Sequence, residues 1–424
     1  MIYNVVIYFV LWGIAIASLF NEKVRKMWRG ERDAFRILRE NVDPTERYIW
    51  FHAASLGEFE QGRPLMERIR RDYPQYKILL TFYSPSGYEV RKNYEGADII
   101  CYMPVDTRLN AIRFLRLVRP VMAFFIKYEF WSNFLHILKY RNIPTYSVSS
   151  IFREDQVFFK WYGRSYANVL KCFTRFFVQN EESKRLLESI GIKDVDVVGD
   201  TRFDRVLQIK QAAKHLPICE AFRSGVAGSD SAASSEKASH PDYKVFVAGS
   251  SWPPDEEIFI RFFNEHKDWR LLIAPHVIAE EHLKLILSLL KDKKVVRYTQ
   301  TTPEEAAKAD VLIIDCFGLL SSMYNYGDVA YIGGGFGVGI HNTLEAAVWN
   351  MPVIFGPNNK KFQEAQGLLK SGGGFDINTY EDFEGLMSSM MNDAAFLKLA
   401  GDKAGAFVAS LSGATGKVLA KVKL

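Results

Sequence analysis

The apolar positions of this chain fall into short runs, each closed by glycine, proline or small polar residues and followed by a stretch of helical periodicity. Residues 48–51, 77–82, 98–102, 120–126, 144–148, 175–179 and 195–198 form a first series. Continuous apolar runs bounded by turn residues predict strands buried on both faces. Helical patterns lie between them, for instance over 61–72 and 107–119. This alternation predicts a parallel sheet covered by helices on both sides. The periodicity fades between residues 208 and 242, where SGVAGSDSAASSEKAS (224–239) reads as a solvated insertion or linker. It then resumes with predicted strands at 244–249, 271–274, 311–314, 329–332 and 352–355. Two doubly wound α/β domains enclosing a cleft between the carboxyl ends of their sheets are therefore expected. No internal repeat is evident.

The beginning of the chain follows another pattern. Residues 2–20 are almost continuously apolar, with Asn4 and Ser18 the clearly polar members. This is close to the ~20 residues that cross a bilayer. No basic stretch precedes it and no small-residue cleavage site ends it, which favours a membrane anchor over a cleaved leader. Lys23, Arg25, Lys26, Arg29, Arg32, Arg36 and Arg39 follow. By the positive-inside rule they place the body of the protein in the cytoplasm. The same residues suit anionic lipid headgroups or a phosphorylated lipid substrate. The expected division is an anchor over 1–21, a first domain over 22–207, a linker or insertion over 208–241 and a second domain over 242–424.

Composition fits this division. At 424 residues and 48% hydrophobic, the chain has the material for two cores. A net charge of +5 is too weak to imply a nucleic-acid partner. Cys101, Cys172, Cys219 and Cys316 are far apart and form no CxxC pair, which argues against a zinc site or a disulfide framework.

Candidate chemistry concentrates in two segments. WFHAASLGEFEQGR (50–63) runs from an apolar strand end through small residues into a helical pattern, with Glu58 at the turn. A carboxylate at the exit of a parallel strand is placed to act as a general base. Ser55-Leu56-Gly57-Glu58 also fits a capping box, in which Glu58 closes a helix N-terminus. In the second half, GGGFGVGIHNTLEAAVWNMPVIFGP (333–357) carries a glycine-rich loop after a strand. Such a loop lets the backbone approach a phosphate closely. His341-Asn342 would open a helix whose N-terminus favours anions, with Glu345 on its first turn able to accept from ribose hydroxyls. Asn342 to Glu345 has the alternative reading of a capping box. The strict dinucleotide and P-loop patterns are absent. Asp194-Val195-Asp196 is a D-x-D string of the kind that can hold a divalent ion, but two carboxylates on one face of a strand favour a solvent edge. Phe158-Phe159-Lys160-Trp161-Tyr162 reads as core or membrane-facing aromatic surface, with an acceptor groove as the alternative.

In combination these segments resemble the GT-B glycosyltransferases, and more narrowly the 3-deoxy-D-manno-octulosonic acid (Kdo) transferases that act on lipid A. Ala54-Ser55-Leu56-Gly57-Glu58 is similar to the family's first motif, whose Glu is the proposed base. Glu129-Phe130-Trp131-Ser132-Asn133 resembles its E-x-W-x-N motif, and Gly199 to Asp204 (GDTRFD) its junction motif. Ala248-Gly249-Ser250-Ser251 resembles its donor-site turn, and His341-Asn342-Thr343-Leu344-Glu345 its H-N-x-L-E element. The chain departs from the family at Pro275-His276-Val277, which lacks the arginine of P-R-H. It departs again after Asp315 to Gly318, where a charged residue is missing.

The resemblance implies two Rossmann-like domains facing across a cleft and a membrane-anchored enzyme at the cytoplasmic side of the inner membrane. The implied donor is CMP-Kdo, the acceptor a lipid A precursor, and no metal or other cofactor is expected. Glu58 and Glu129 are the implied catalytic carboxylates, with Glu129 either tuning Glu58 or positioning the acceptor. A structural pairing of Glu129 with Lys127 or Arg141 is the alternative. Ser250, Ser251, His276, Gly318, Gly335, Gly337, His341, Asn342 and Glu345 are implied in donor binding. Ser55, Gly57, Trp131 and Arg202 are implied in acceptor binding or positioning. Two other readings stay open: a GT-B enzyme using a UDP-sugar, and a non-catalytic membrane-tethered sugar or nucleotide binding module.

Overall fold

The computed structural model describes residues 2–226, 243–337 and 339–424. The chain divides into two compact units, one of Met1–Arg205 with Leu411–Leu424 and the other of Val206–Ser410.

The first unit is built on seven parallel strands: β1 (Tyr48–Ala53), β2 (Lys77–Phe82), β3 (Ile99–Tyr102), β4 (Met122–Ile126), β5 (Thr145–Ser150), β6 (Arg175–Val178) and β7 (Val195–Val197). Their order is β3-β2-β1-β4-β5-β6-β7. β1 and β4 are buried along their whole length, as their apolar runs require, with only His52 interrupting that of β1. The alternating pleat divides their side chains between two cores. Trp50, Ala123 and Phe125 enter one, and Ile49, Phe51 and Phe124 the other.

The second unit repeats the plan with β8 (Lys244–Ser251), β9 (Trp269–Pro275), β10 (Val295–Arg297), β11 (Val311–Ile313), β12 (Val329–Ile332), β13 (Val353–Phe355) and β14 (Gly374–Asp376). The order is β10-β11-β9-β8-β12-β13-β14, again parallel. Both sheets thus have the doubly wound form expected, with strand order reversing between β1 and β4 in one and between β8 and β12 in the other. The edge strands β10 and β14 are three residues each and were not legible in the sequence.

The expected division needs two corrections. Residues 411–424 belong to the first unit, not the second. Ala414 and Val418 are fully buried beside Phe177 and Val198, and the Asp204 carboxylate accepts from the N–H groups of Gly413 and Thr415 (2.6 Å for Thr415). The stretch expected as linker also holds helix Pro217–Ser224 and the end of helix Arg202–Gln211. The rest of the predicted insertion, 227–241, lies outside the described residues.

Residues 2–20 form one helix, long and apolar enough to cross a membrane by length and composition. It runs directly into helix Glu22–Asn41, where Arg25 donates to the carbonyls of Ser18 (2.9 Å) and Leu19 (2.8 Å).

Candidate active site

The loops that follow β1 and β4 leave the sheet at its switch point, where open α/β sheets bind ligands. Helix Leu56–Asp72 begins there, capped by Ser55, and Glu58 stands in its first turn. Glu58 Oε2 accepts from the N–H of Ala54 (2.6 Å) and of Ser55 (3.2 Å). Both bonds fall on one oxygen, so Oε1 is left for a ligand. Burial, then the charge of Glu129, pushes the Glu58 pKa up to about 6, against opposing pulls from His52, the Ala54 N–H and Lys127. The capping and base readings therefore describe one side chain, with one oxygen closing the helix and the other uncommitted. A Cβ at Gly57 would meet nothing within 4 Å. Its glycine is not demanded by packing, and the space beside it is open to an incoming group.

Glu129 follows β4 after Lys127, whose backbone is left-handed (φ 68). Its Oε2 accepts from Trp131 Nε1 (2.6 Å) and lies 3.1 Å from His52 Nε2. His52 is fully buried, and its Nδ1 is 2.9 Å from Thr81 Oγ1, which also accepts from Trp50 Nε1 (2.8 Å). A chain of polar contacts thus runs Trp50–Thr81–His52–Glu129–Trp131. The alternative pairing of Glu129 with Lys127 or Arg141 is not what holds it: the partners are His52 and Trp131. The sequence reading missed His52. A histidine within an otherwise apolar strand was the available signal, because a buried imidazole needs partners.

Arg202 folds back on Asp200, with Nε 2.9 Å from Oδ2, and Asp200 also accepts from Gln61 Nε2 (3.1 Å) on the Glu58 helix. Thr201 donates to the Gln61 carbonyl (2.5 Å). The GDTRFD segment therefore braces the helix that carries Glu58, and through Asp204 it also holds the C-terminal segment. Asp194 and Asp196 are both bound by Arg175 (3.1 and 2.5 Å), so the D-x-D carboxylates serve a structural ion pair.

The second unit has its own site at the β8/β12 switch point. The backbone turns at Ser250 (φ 54), with a register shift between Gly249 and Ser251. Asp255 holds the adjoining loop by accepting from the N–H of Gly334 (2.9 Å) and Trp252 (2.9 Å) and from Tyr331 Oη (2.8 Å). A cavity of about 200 Å³ is lined by Ser250, Leu320, Tyr324, His341, Asn342 and Glu345. The structure thus brings together four of the residues expected to bind the donor. Glu345 Oε1 accepts from Asn342 Nδ2 (3.0 Å) and its Oε2 from the Ser321 hydroxyl. A carboxylate oxygen has two lone pairs, so each retains one for a ligand hydroxyl. His276 stacks between Trp252 (4.7 Å) and His341 (4.4 Å). Burial and the neighbouring His276 lower the His341 pKa, favouring its neutral form.

Other expected donor residues are placed differently. Ser251 is buried with its hydroxyl on Glu256 (2.8 Å), so that side chain is structural. Gly335 packs on Gly356, whose N a Cβ would meet at 2.5 Å; its glycine answers a close approach of two loops. Gly337 lines a smaller cavity of about 140 Å³ with Trp252 and Phe336. Gly318 has φ +85 in the turn before helix Leu320–Met323 and is not part of the Glu345 cavity wall. The expected anion-binding helix after His341-Asn342 is a single turn, Leu344–Ala347, because the chain reverses through Asn350 (φ 60) straight into β13. The capping-box alternative there also fails: Asn342 Oδ1 accepts from Leu344 N (3.1 Å), two residues on.

The sequence model of a family described as 3-Deoxy-D-manno-octulosonic-acid transferase (kdotransferase) matches residues 29–205, the part that carries Glu58 and Glu129. A 3-deoxy-D-manno-octulosonic acid transferase of Aquifex aeolicus is 26% identical over 80% of this chain and 84% of its own length. The enzyme of that name from Haemophilus influenzae is 25% identical over 82% of this chain and 80% of its own. Over the first unit and most of its length this chain is similar to the Kdo transferases. It is accordingly a glycosyltransferase. The fold is of the GT-B type: a solved UDP-N-acetylglucosamine 2-epimerase, described as putative, from Listeria monocytogenes superposes with a TM-score of 0.59 at 10% identity, over 88% of this chain and 95% of that one. Where this Kdo transferase homologue lacks the P-R-H arginine, His276 occupies the stack beside His341.

Proposed function

We propose that this chain is an inverting transferase that moves Kdo from CMP-Kdo to a sugar hydroxyl of a lipid A precursor, for the lipopolysaccharide inner core, at the cytoplasmic face of the inner membrane. The observation that carries the reading is Glu58: one oxygen fixed by two backbone N–H groups, the other uncommitted, and a pKa near 6. Such a group is ionised at neutral pH yet basic enough to take a proton in a transition state. Glu58 takes the acceptor hydroxyl proton as the oxygen bonds to the anomeric carbon of Kdo. The bond from that carbon to the CMP phosphate oxygen breaks on the opposite face, and CMP departs with the electron pair. Glu129 holds the charge state of Glu58, with His52 and Trp131 fixing Glu129. In the second unit Glu345 accepts from the ribose hydroxyls, and the Ser250 turn and glycine-rich loop offer N–H groups to the single phosphate. No metal is assigned a step.

The test is transfer from CMP-Kdo generated in situ to tetra-acylated lipid A precursor, with EDTA present and UDP-sugars offered in parallel. Kdo-bearing product from the CMP donor alone is expected. Product only from a UDP-sugar, or none while a known Kdo transferase works in the same assay, overturns the reading.

A further inference from the structure

The N-terminal helix does more than its hydropathy requires. A helix that crosses a bilayer away from its domain carries its first turn roughly 28 Å from its last at 1.5 Å per residue, on the far side of the membrane. Here the first turn is fastened to the first unit. Tyr3 Oη donates to Asp106 Oδ2 (2.6 Å), and Asn133 Nδ2 donates to Asn4 Oδ1 (2.8 Å) and to the Asp106 carbonyl (2.6 Å). Asp106 is fully buried and also accepts from the N–H groups of Asn133 (3.0 Å) and Phe134 (3.0 Å). Tyr3, Asn4, Ile7, Leu11, Ile14, Ala15 and Ser18 form one partly or fully covered stripe along the helix. The other face presents Phe9, Trp12 and Phe20, each at least 75% exposed. The helix therefore lies against its domain with an apolar face outward, the arrangement of an element held in the plane of a membrane surface.

Tyr3 also faces a cavity. A space of about 360 Å³ is lined by Tyr3, Tyr128, Glu129, Phe130, Trp131 and Tyr166 among others. Glu129 and Trp131 are the residues that contact His52 beside Glu58. Tyr166, stacked on Phe158 (5.2 Å), lines the same cavity, and the same segment includes the exposed Trp161 and Tyr162. Aromatic faces with polar edges suit a sugar ring, and exposed Trp and Tyr suit the membrane–water interface.

We propose that the N-terminal helix forms one wall of the acceptor subsite: Tyr3 and the facing aromatics hold the saccharide headgroup of an acylated amino-sugar lipid against Glu129, while its acyl chains stay in the lipid layer along the exposed helix face. This rests on the transferase reading given above for the identity of the lipid. It gives the first turn of the helix a recognition role separate from anchoring, and it assigns the aromatic stripe at 158–162 to the rim of the acceptor groove.

The experiment separates anchoring from recognition. In a chimera, residues 2–20 are replaced by a Leu/Ala helix of equal length, and Tyr3→Phe, Tyr3→Ala and Tyr166→Ala are made in the full chain. Binding of a tetra-acylated glucosamine disaccharide in mixed micelles is measured by calorimetry, together with CMP binding and recovery in the membrane fraction. The chimera, Tyr3→Ala and Tyr166→Ala are expected to stay in the membrane fraction and bind CMP as the wild type does. Their affinity for the glycolipid is expected to fall about tenfold or more, the loss usual for a central aromatic contact, with Tyr3→Phe losing less than Tyr3→Ala. Tyr166→Ala removes no hydrogen bond of the Tyr3–Asp106 clamp, so its loss tests the aromatic contact with the clamp's bonds in place. Wild-type glycolipid affinity in the chimera and in Tyr166→Ala overturns the inference, as does a wild-type chain that binds no glycolipid. Glycolipid binding without Kdo transfer overturns the transferase reading and leaves the subsite standing.

Discussion

Glu58 shows how one residue serves helix and chemistry together. Its capping bonds orient it and lower its pKa, while burial and Glu129 raise it, and the balance sits near 6. A base must be ionised to act, so kcat/KM is predicted to fall on the acid side with an inflection near that value. Replacing Glu129 by Gln removes the like charge, lowers the Glu58 pKa and moves the acid limb to lower pH; a pH–rate profile of the variant checks this. An unmoved limb would mean that Glu129 does not act on Glu58. The opposite situation holds at Glu31, which is 5% exposed, has no hydrogen-bond partner for either oxygen among the described residues, and is pushed up to about 8 by burial. The folded state then holds a proton that the unfolded state gives up above the ordinary carboxylate range, so stability falls as pH rises from about 4.5 to 8. Glu31→Gln is predicted to raise the thermal midpoint at pH 8 by about 5 °C or more, with little change at pH 4.5, by calorimetry. Glu58 was legible in the sequence because turn and helix flank it. The His52–Glu129 contact was not, since its partners lie 77 positions apart and only the β1–β4 pairing joins them.

At the level of elements, the long apolar runs gave the central strands because strands buried on both faces need no polar alternation. The failures came where pairing, not pattern, makes the element: β10 and β14 are short edges. The segment after His341 read as a helix because the start signal is present, but the stop comes one turn later, at the left-handed Asn350. The glycine-rich loop was legible as a ligand loop, yet its glycines divide their tasks. Gly335→Ala drives a Cβ into the Gly356 backbone. It is predicted to cost about 1–3 kcal/mol of stability and to weaken CMP binding by displacing the loop, read by denaturant unfolding and titration with CMP. Unchanged stability would show that the two loops part without cost.

On the scale of the whole molecule, the chain ends where it began, with Leu411–Leu424 returning to the first unit. This return was not legible in the sequence, because a short amphipathic end carries no record of which core it covers. Asp204 caps that return by accepting from Gly413 and Thr415. Asp204→Ala is predicted to lower stability by about 1 kcal/mol, as loss of a helix cap does, and to expose the C-terminal segment to limited proteolysis before the second unit is cut. The cap would be idle if cleavage there were no faster than in the wild type.

The proposed transfer turns on the chemistry of Glu58. The decisive measurement is the rate of Kdo transfer from CMP-Kdo to tetra-acylated lipid A precursor by the wild type and by Glu58→Gln, with EDTA present and both proteins matched for thermal midpoint. Gln preserves the accepting oxygen that caps the helix, so folding is predicted to hold while kcat falls about 10²–10⁴-fold. A Glu58→Gln protein that transfers Kdo at the wild-type rate would contradict the role of Glu58 as base and leave it a cap alone.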